Sequence, residues 1–269
     1  MTDASANMQT TTINRGWMTK MVIIGLFMFA FGLWGLYDAL SAYPKRGERA
    51  ASFHQHEYLT MLDQKNDGSF LNKASVIDPE AEYETLSQKS DASTLTPEEQ
   101  PKFYWLRQLK LIGKLKPEYT QVADPRKALE DLKARWATSQ TSAPQELSWY
   151  DIPAQWLITA VGCGVGLYLF CLIAVVKRTR YHYEPESQRL HLPGGVTLVP
   201  ADIEVFDKRK WDKFLIYLKV KPGHPQLGGK EIVLDLLRHS PLEEWVLAME
   251  RTAFPESAEE ASAEDKKAE

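Results

Sequence analysis

The sequence predicts an α+β membrane protein with two transmembrane helices. A helical extracytoplasmic domain lies between them, and a small antiparallel β-barrel with one C-terminal helix follows the second. Three observations predict this. Trp156 to Val176 carries no charged side chain and is followed at once by Lys177, Arg178 and Arg180. A second apolar block runs from Met21 to Tyr37. After Arg180 the hydrophobic period changes from helical to alternating, and at Ser240 it changes back.

The run from Trp156 to Val176 makes roughly 32 Å of helix, about the thickness of bilayer hydrocarbon. Lys177, Arg178 and Arg180 act as topology determinants, because short basic flanks stay cytoplasmic. Arg15 and Lys20, ahead of the first block, agree with that orientation, whereas Lys45, Arg46 and Arg49 just after it disagree. The C-terminal flank outweighs them, since a loop of roughly a hundred residues translocates largely regardless of its charge. Both termini are therefore expected in the cytoplasm of a multi-pass plasma-membrane protein, bacterial in type. The first block also fits a signal peptide, with Ala39-Leu40-Ser41 as a small-residue cleavage site. Trp17, Trp34 and Tyr37 on its flanks favour a helix that stays in the membrane. The segments expected at this level are a disordered N-terminus over 1–16, membrane helices over 17–40 and 154–176, and an acidic disordered tail over 254–269.

Charge is nearly balanced in the folded segments. The net −4 resides in the tail, which has 6 acids against 2 bases beyond residue 255. No folded segment is strongly basic, which argues against nucleic acid as a partner. Both cysteines, Cys163 and Cys171, fall inside the second apolar run, so the region 43–152 has no disulfide and must hold together by helix packing.

Within 43–152 the helix signals are local and chemical. Ala50, Phe53, Tyr58, Met61 and Leu62 form a loose stripe ended by Asn66-Asp67-Gly68-Ser69. Asp78-Pro79 and Asp124-Pro125 read as a cap followed by a first-turn proline. Thr96-Pro97-Glu98-Glu99 reads as a full capping box opening a helix with Tyr104, Trp105, Leu106, Leu109 and Ile112. Leu129, Leu132 and Trp136 share a face of the last helix, and Thr138 to Pro144 is a polar linker.

Past Arg180, six short strands are expected, near Arg180–Glu184, Arg189–Leu192, Val196–Val199, Ile203–Phe206, Phe214–Val220 and Glu231–Leu234. Ser240-Pro241-Leu242-Glu243 reads as a capping box for a helix burying Leu242, Trp245, Val246 and Met249. Such strands closed by one capped amphipathic helix resemble the pleckstrin-homology-like (PH-like) barrel, in its bacterial form attached to transmembrane helices. The likeness covers about 178–253 and rests on Arg180 to Leu192, the Pro193-Gly194-Gly195 turn, Ile203 to Phe206 and the Ser240 to Met249 helix. Members that bind phosphoinositides use a basic first hairpin. Here that turn is Glu184-Pro185-Glu186-Ser187, so the resemblance does not imply that ligand.

No Gly-rich phosphate loop, nucleophile elbow or Cys–His constellation occurs, so neither catalysis nor a cofactor is expected. His54, His56 and Glu57 lack the i, i+4 spacing of a zinc helix and read as a solvated surface cluster. His182 and His191 sit on adjacent strands and could meet across them, with little to suggest a metal. Lys208, Arg209, Lys210, Trp211 and Lys213 form the one sharp charge feature of the cytoplasmic part. They suit a membrane surface or a partner, or else an exposed hairpin loop whose Trp covers the barrel. Gly162 and Gly166 allow close helix approach, to the first crossing at Gly35 and Ala39 or to a second copy in a homo-oligomer. The expected function is a two-pass membrane-anchored scaffold that meets unknown protein partners. The alternative is an accessory or signalling subunit that senses a ligand or partner through the helical domain.

Overall fold

A computed structural model describes residues 8–65, 70–137 and 143–255. The chain forms two units, Ala30–Gly164 and a second made of Met1–Phe29 with Val165–Glu269, so each long apolar helix contributes to both. The expected tail beyond 255, the Asn66–Ser69 stop and most of the Thr138–Pro144 linker lie outside the described residues.

α1 (Arg15–Tyr37) runs through a π-helical turn, Asp38–Ala42, into α2 (Tyr43–Lys65), a continuous helix of 51 residues. The helix therefore does not end at residue 40, the bound expected for the membrane segment. Pro44 has no N–H to give the carbonyl of Leu40, and its ring crowds that turn. The turn ahead widens instead, with the Tyr43 N–H donating to the Asp38 carbonyl one residue further back than in an α-helix. Ala39-Leu40-Ser41 thus lies inside a helix with Ala39 buried, not in an extended cleavage site.

The short α3 (Phe70–Lys73) precedes α4 (Pro79–Asp91), α5 (Glu99–Leu111), the single turn α6 (Pro117–Thr120) and α7 (Pro125–Ala137). The caps form as their residues dictate. Asp78 accepts from the Ala81 N–H at 3.1 Å, and Asp124 accepts from the Lys127 N–H at 3.1 Å. Thr96 and Glu99 exchange both bonds of the capping box, at 3.0 and 3.3 Å. Tyr58, Leu59 and Leu62 of α2 pack with Trp105, Leu106 and Leu109 of α5 and with Leu129 and Leu132 of α7. Met61, placed in the stripe by its spacing, is 39% exposed.

Glu99 also holds Lys89 at 2.5 Å, and with the Thr96 bond this lowers its carboxyl to about 2. A lowered folded-state value stabilises the fold above the unfolded value, and that stability is lost as pH falls through the folded one. Acid unfolding is therefore expected to steepen between about pH 4.5 and 2. Glu99→Gln should flatten this part of the curve, followed by circular dichroism; the exposed setting keeps the effect small.

α8 (Asp151–Arg178) closes the helical unit and leads into the β unit. There β1 (Gln9–Thr10) and β2 (Thr12–Ile13) come from the N-terminus. β3 (His182–Glu184), β4 (Arg189–His191), β5 (Thr197–Leu198), β6 (Ile203–Lys210), β7 (Leu215–Val220), β8 (Glu231–Asp235) and β9 (His239–Ser240) follow α8. All six expected strands are present. α9 (Leu242–Ala253) buries Leu242, Trp245, Val246 and Met249, the spacing read from the sequence.

Three expectations are corrected. Residues 8–14, read as disordered, include two strands: Gln9 lies opposite Tyr183 and Thr10 opposite His182, while Thr12 faces Ser240 and Ile13 faces His239. Among the described residues the strands form three sheets, β1-β3-β4-β5, β2-β9 and β6-β7-β8, and no closed barrel. The 3-10 turn Pro200–Asp202 separates β5 from β6, and the N-terminal strands occupy the free edges of β3 and β9. The Ser240 capping box is not made: Ser240 is held in β9, and the helix starts at Leu242 without a side-chain cap.

Candidate functional site

The strap that carries the helical unit into α8 is fastened from several directions. Gln108 of α5 is fully buried and imitates a strand neighbour: its Oε1 accepts from the Leu147 N–H at 2.9 Å and its Nε2 faces the Leu147 carbonyl at 3.4 Å. Arg46 donates to the carbonyls of Gln145 and Glu146 at 3.1 and 2.6 Å and to Asp151 Oδ2 at 3.1 Å. Gly47 leaves room for Leu147, since a Cβ there would stand 2.7 Å from Leu147 Cδ1. Arg46, which argues against the expected orientation, thus has a structural task.

His54 belongs to the same fastening. It is buried rather than solvated, 8% exposed, with Nδ1 2.9 Å from Glu57 Oε2 and Nε2 3.0 Å from Glu146 Oε1. His56 points elsewhere; burial, then Lys133, lowers its pKa. The two histidines do not converge on a ligand, and no group fit to hold a metal occurs among the described residues.

The apolar helices pack through glycines. In the helical unit a Cβ on Gly32 would lie 2.5 Å from the Cys163 nitrogen and 2.9 Å from the Gly162 carbonyl carbon, and one on Gly35 2.9 Å from Ile158 Cγ2. In the β unit a Cβ on Gly166 would lie 2.9 Å from Phe29 Cβ and 3.0 Å from the Gly25 carbonyl oxygen. Within this chain Gly162 and Gly166 thus lie against Gly32 and Gly25 of α1. Gly32→Val is expected to cost about 3 kcal/mol, because the obstacle is backbone. Gly164→Val, which meets nothing within 4 Å, should leave the thermal midpoint in detergent unchanged.

In the β unit, Lys208, Arg209 and Lys210 lie on β6 rather than in a loop, with Trp211 and Lys213 in a 3-10 turn after it. Lys208 pairs with Glu250 at 2.6 Å; Arg209 pairs with Glu231 at 2.6 Å and lies 4.0 Å from the centre of the Tyr217 ring. Lys210 and Lys213 make no ion pair among the described residues. Beside them Phe214 is 44% exposed and held in the left-handed region at φ 56°. His182 and His191 do face each other across β3 and β4. His182 Nδ1 lies 2.9 Å from Thr10, and the two nitrogens of His191 lie 3.0 Å from Glu184 and from Thr197. Bonds from Ser187 and then His191 lower the Glu184 carboxyl. Lys177 and Arg178 end α8, and with Arg180 they are exposed.

The N-terminal strands are tied in by side chains as well. Trp245 Nε1 donates to Gln9 Oε1 at 2.9 Å, the Tyr181 N–H donates to Thr11 Oγ1 at 3.0 Å, and the Asn14 N–H donates to the Arg238 carbonyl at 2.9 Å. Asn14 Oδ1 then accepts from the Trp17 N–H in the first turn of α1. No protein-family model, curated protein or solved structure matches the chain.

Proposed function

We propose that the chain is a two-pass scaffold of the plasma membrane, non-catalytic, that uses a PH-like β module and a helical domain to hold protein partners. Two helices are long and apolar enough to cross a bilayer. Phe27, Trp34, Leu157 and Tyr168 are each more than 60% exposed, as side chains facing lipid would be. The observation that carries the reading is the pairing of β1 with β3 and of β2 with β9. It commits the segments before α1 and after α8 to one folded unit, so both must lie on one side of any bilayer that the helices cross. Lys177, Arg178 and Arg180 favour the cytoplasm for that side. Lys210, Lys213 and the exposed Phe214 are the residues this module would offer to an anionic surface or a partner.

A test uses single cysteines in a chain lacking Cys163 and Cys171, with a membrane-impermeant maleimide on intact cells. Glu84→Cys is expected to label at once and Lys230→Cys only after permeabilisation. The reverse pattern would invert the orientation, and immediate labelling of both would remove the two crossings.

A second reading, an accessory or signalling subunit, is favoured by the continuous helix from Arg15 to Lys65. A partner bound at α2 would have a stiff path into α1. Cross-linking that captures one complex regardless of stimulus favours the scaffold; a complex that changes with stimulus favours the sensor.

A further inference from the structure

Between α2 and α7 an open groove of about 350 Å³ is lined by Lys45, Glu48, Arg49, Ser52, Arg135 and Trp136. Its one carboxylate is already engaged, since Glu48 holds Lys114 of the α5–α6 connection at 2.5 Å. The Ser52 hydroxyl donates to the Arg49 carbonyl at 2.9 Å. Arg49 lies 5.7 Å from the centre of the Trp136 ring, which draws its guanidinium toward the wall formed by α7. Among the described residues, Lys45, Arg49 and Arg135 have no carboxylate within ion-pair distance, not even Asp131 one turn before Arg135. The Thr138–Ser142 segment that follows α7 contains no acid that could balance them.

Three cations therefore face one groove without a counter-charge. Lys45 and Arg49 stand at i, i+4, where like charges repel, and α7 adds a third. We propose that this groove binds a phosphate-bearing anion, with Lys45, Arg49 and Arg135 as its cationic ligands. Guanidinium groups match a phosphate through paired donors, and the Lys ammonium adds a point charge. The site also accounts for a charge pattern left over from the orientation. Arg46 is used by the strap and Arg49 lies over Trp136, whereas Lys45 opposes the positive-inside rule with no ion pair or ring contact among the described residues. Lys45 follows Tyr37 by roughly 12 Å of helix, within side-chain reach of a headgroup layer. An anionic phospholipid and a soluble phosphate share the required chemistry; only the lipid source rests on the membrane reading above.

The test titrates the full-length protein in neutral detergent with inorganic phosphate and, separately, with lysophosphatidylglycerol, following the unfolding midpoint. A saturable rise is expected. Its apparent affinity should fall at least about tenfold in the R49Q/R135Q double variant, the loss expected for charge-assisted bonds. It should fall severalfold in K45Q, at an exposed position, and stay unchanged in K230Q. Response to lysophosphatidylglycerol alone assigns a lipid headgroup, and equal response to both assigns phosphate itself. No saturable rise with either probe, or a rise that both groove variants leave intact, overturns the site. Sidedness plays no part in detergent, so a reversed orientation would not affect this result.

Discussion

Thr11→Pro is expected to release the N-terminal strands from the β unit and destabilise it by about 3 kcal/mol or more. Thr11 is 3% exposed, and its N–H donates to the Tyr181 carbonyl at 2.9 Å, between the ladders of β1 and β2. Proline removes that donor, and its ring falls among residues already in contact. The bonds from Trp245 to Gln9 and from Tyr181 to Thr11 should go with it. Limited proteolysis of the full-length protein in detergent reads the outcome. Cleavage is expected within Met8–Asn14 and then within 179–255, while 70–137 stays resistant. A digestion pattern like that of the unaltered chain would show that residues 8–14 contribute little to the fold.

Gln108→Leu is the second large effect, at about 2–6 kcal/mol of lost stability. A leucine of similar volume keeps the packing but leaves the Leu147 N–H and carbonyl buried without partners, at about 1–3 kcal/mol each. The strap should loosen first, so cleavage between Ala143 and Trp149 is expected to appear before global unfolding. A thermal midpoint unmoved by Gln108→Leu would mean that the strap is held by Arg46 and the Leu147 side chain alone.

What the sequence makes legible here is what neighbouring residues decide among themselves. Asp78, Thr96 with Glu99, and Asp124 cap their helices because a side chain three residues from an orphan N–H reaches it whatever the rest of the chain does. The six strands and the buried face of α9 follow from period alone. Ser240 shows the limit: the same local pattern is present, but pairing with Thr12 from the far end of the chain holds that residue extended. Residues 8–14 were unreadable for a related reason. Two-residue strands carry almost no periodicity, and the only hint was the β-branched run Thr10-Thr11-Thr12-Ile13.

The strap was equally hidden. Gln108 and His54 look like surface residues until the partners that bury them are known. Gly47, a lone glycine inside a helical pattern, was the available sign of a close approach. The glycines of α8 could be read as a packing seam, whereas Gly25 and Gly32 of α1, at a spacing of seven, pass for ordinary membrane-helix composition.

The N-terminal strands also constrain how the molecule is made. Thr10 must wait for a partner 172 residues later, and Gln9 for one 236 residues later. At elongation rates of about 5–20 residues per second, that is about ten to fifty seconds during which Gln9 and Thr10 have nothing to pair with. Both long apolar helices have to be synthesised before this module can close. A message truncated ahead of Trp245 should therefore yield a chain whose residues 8–14 stay exposed to quality-control proteases.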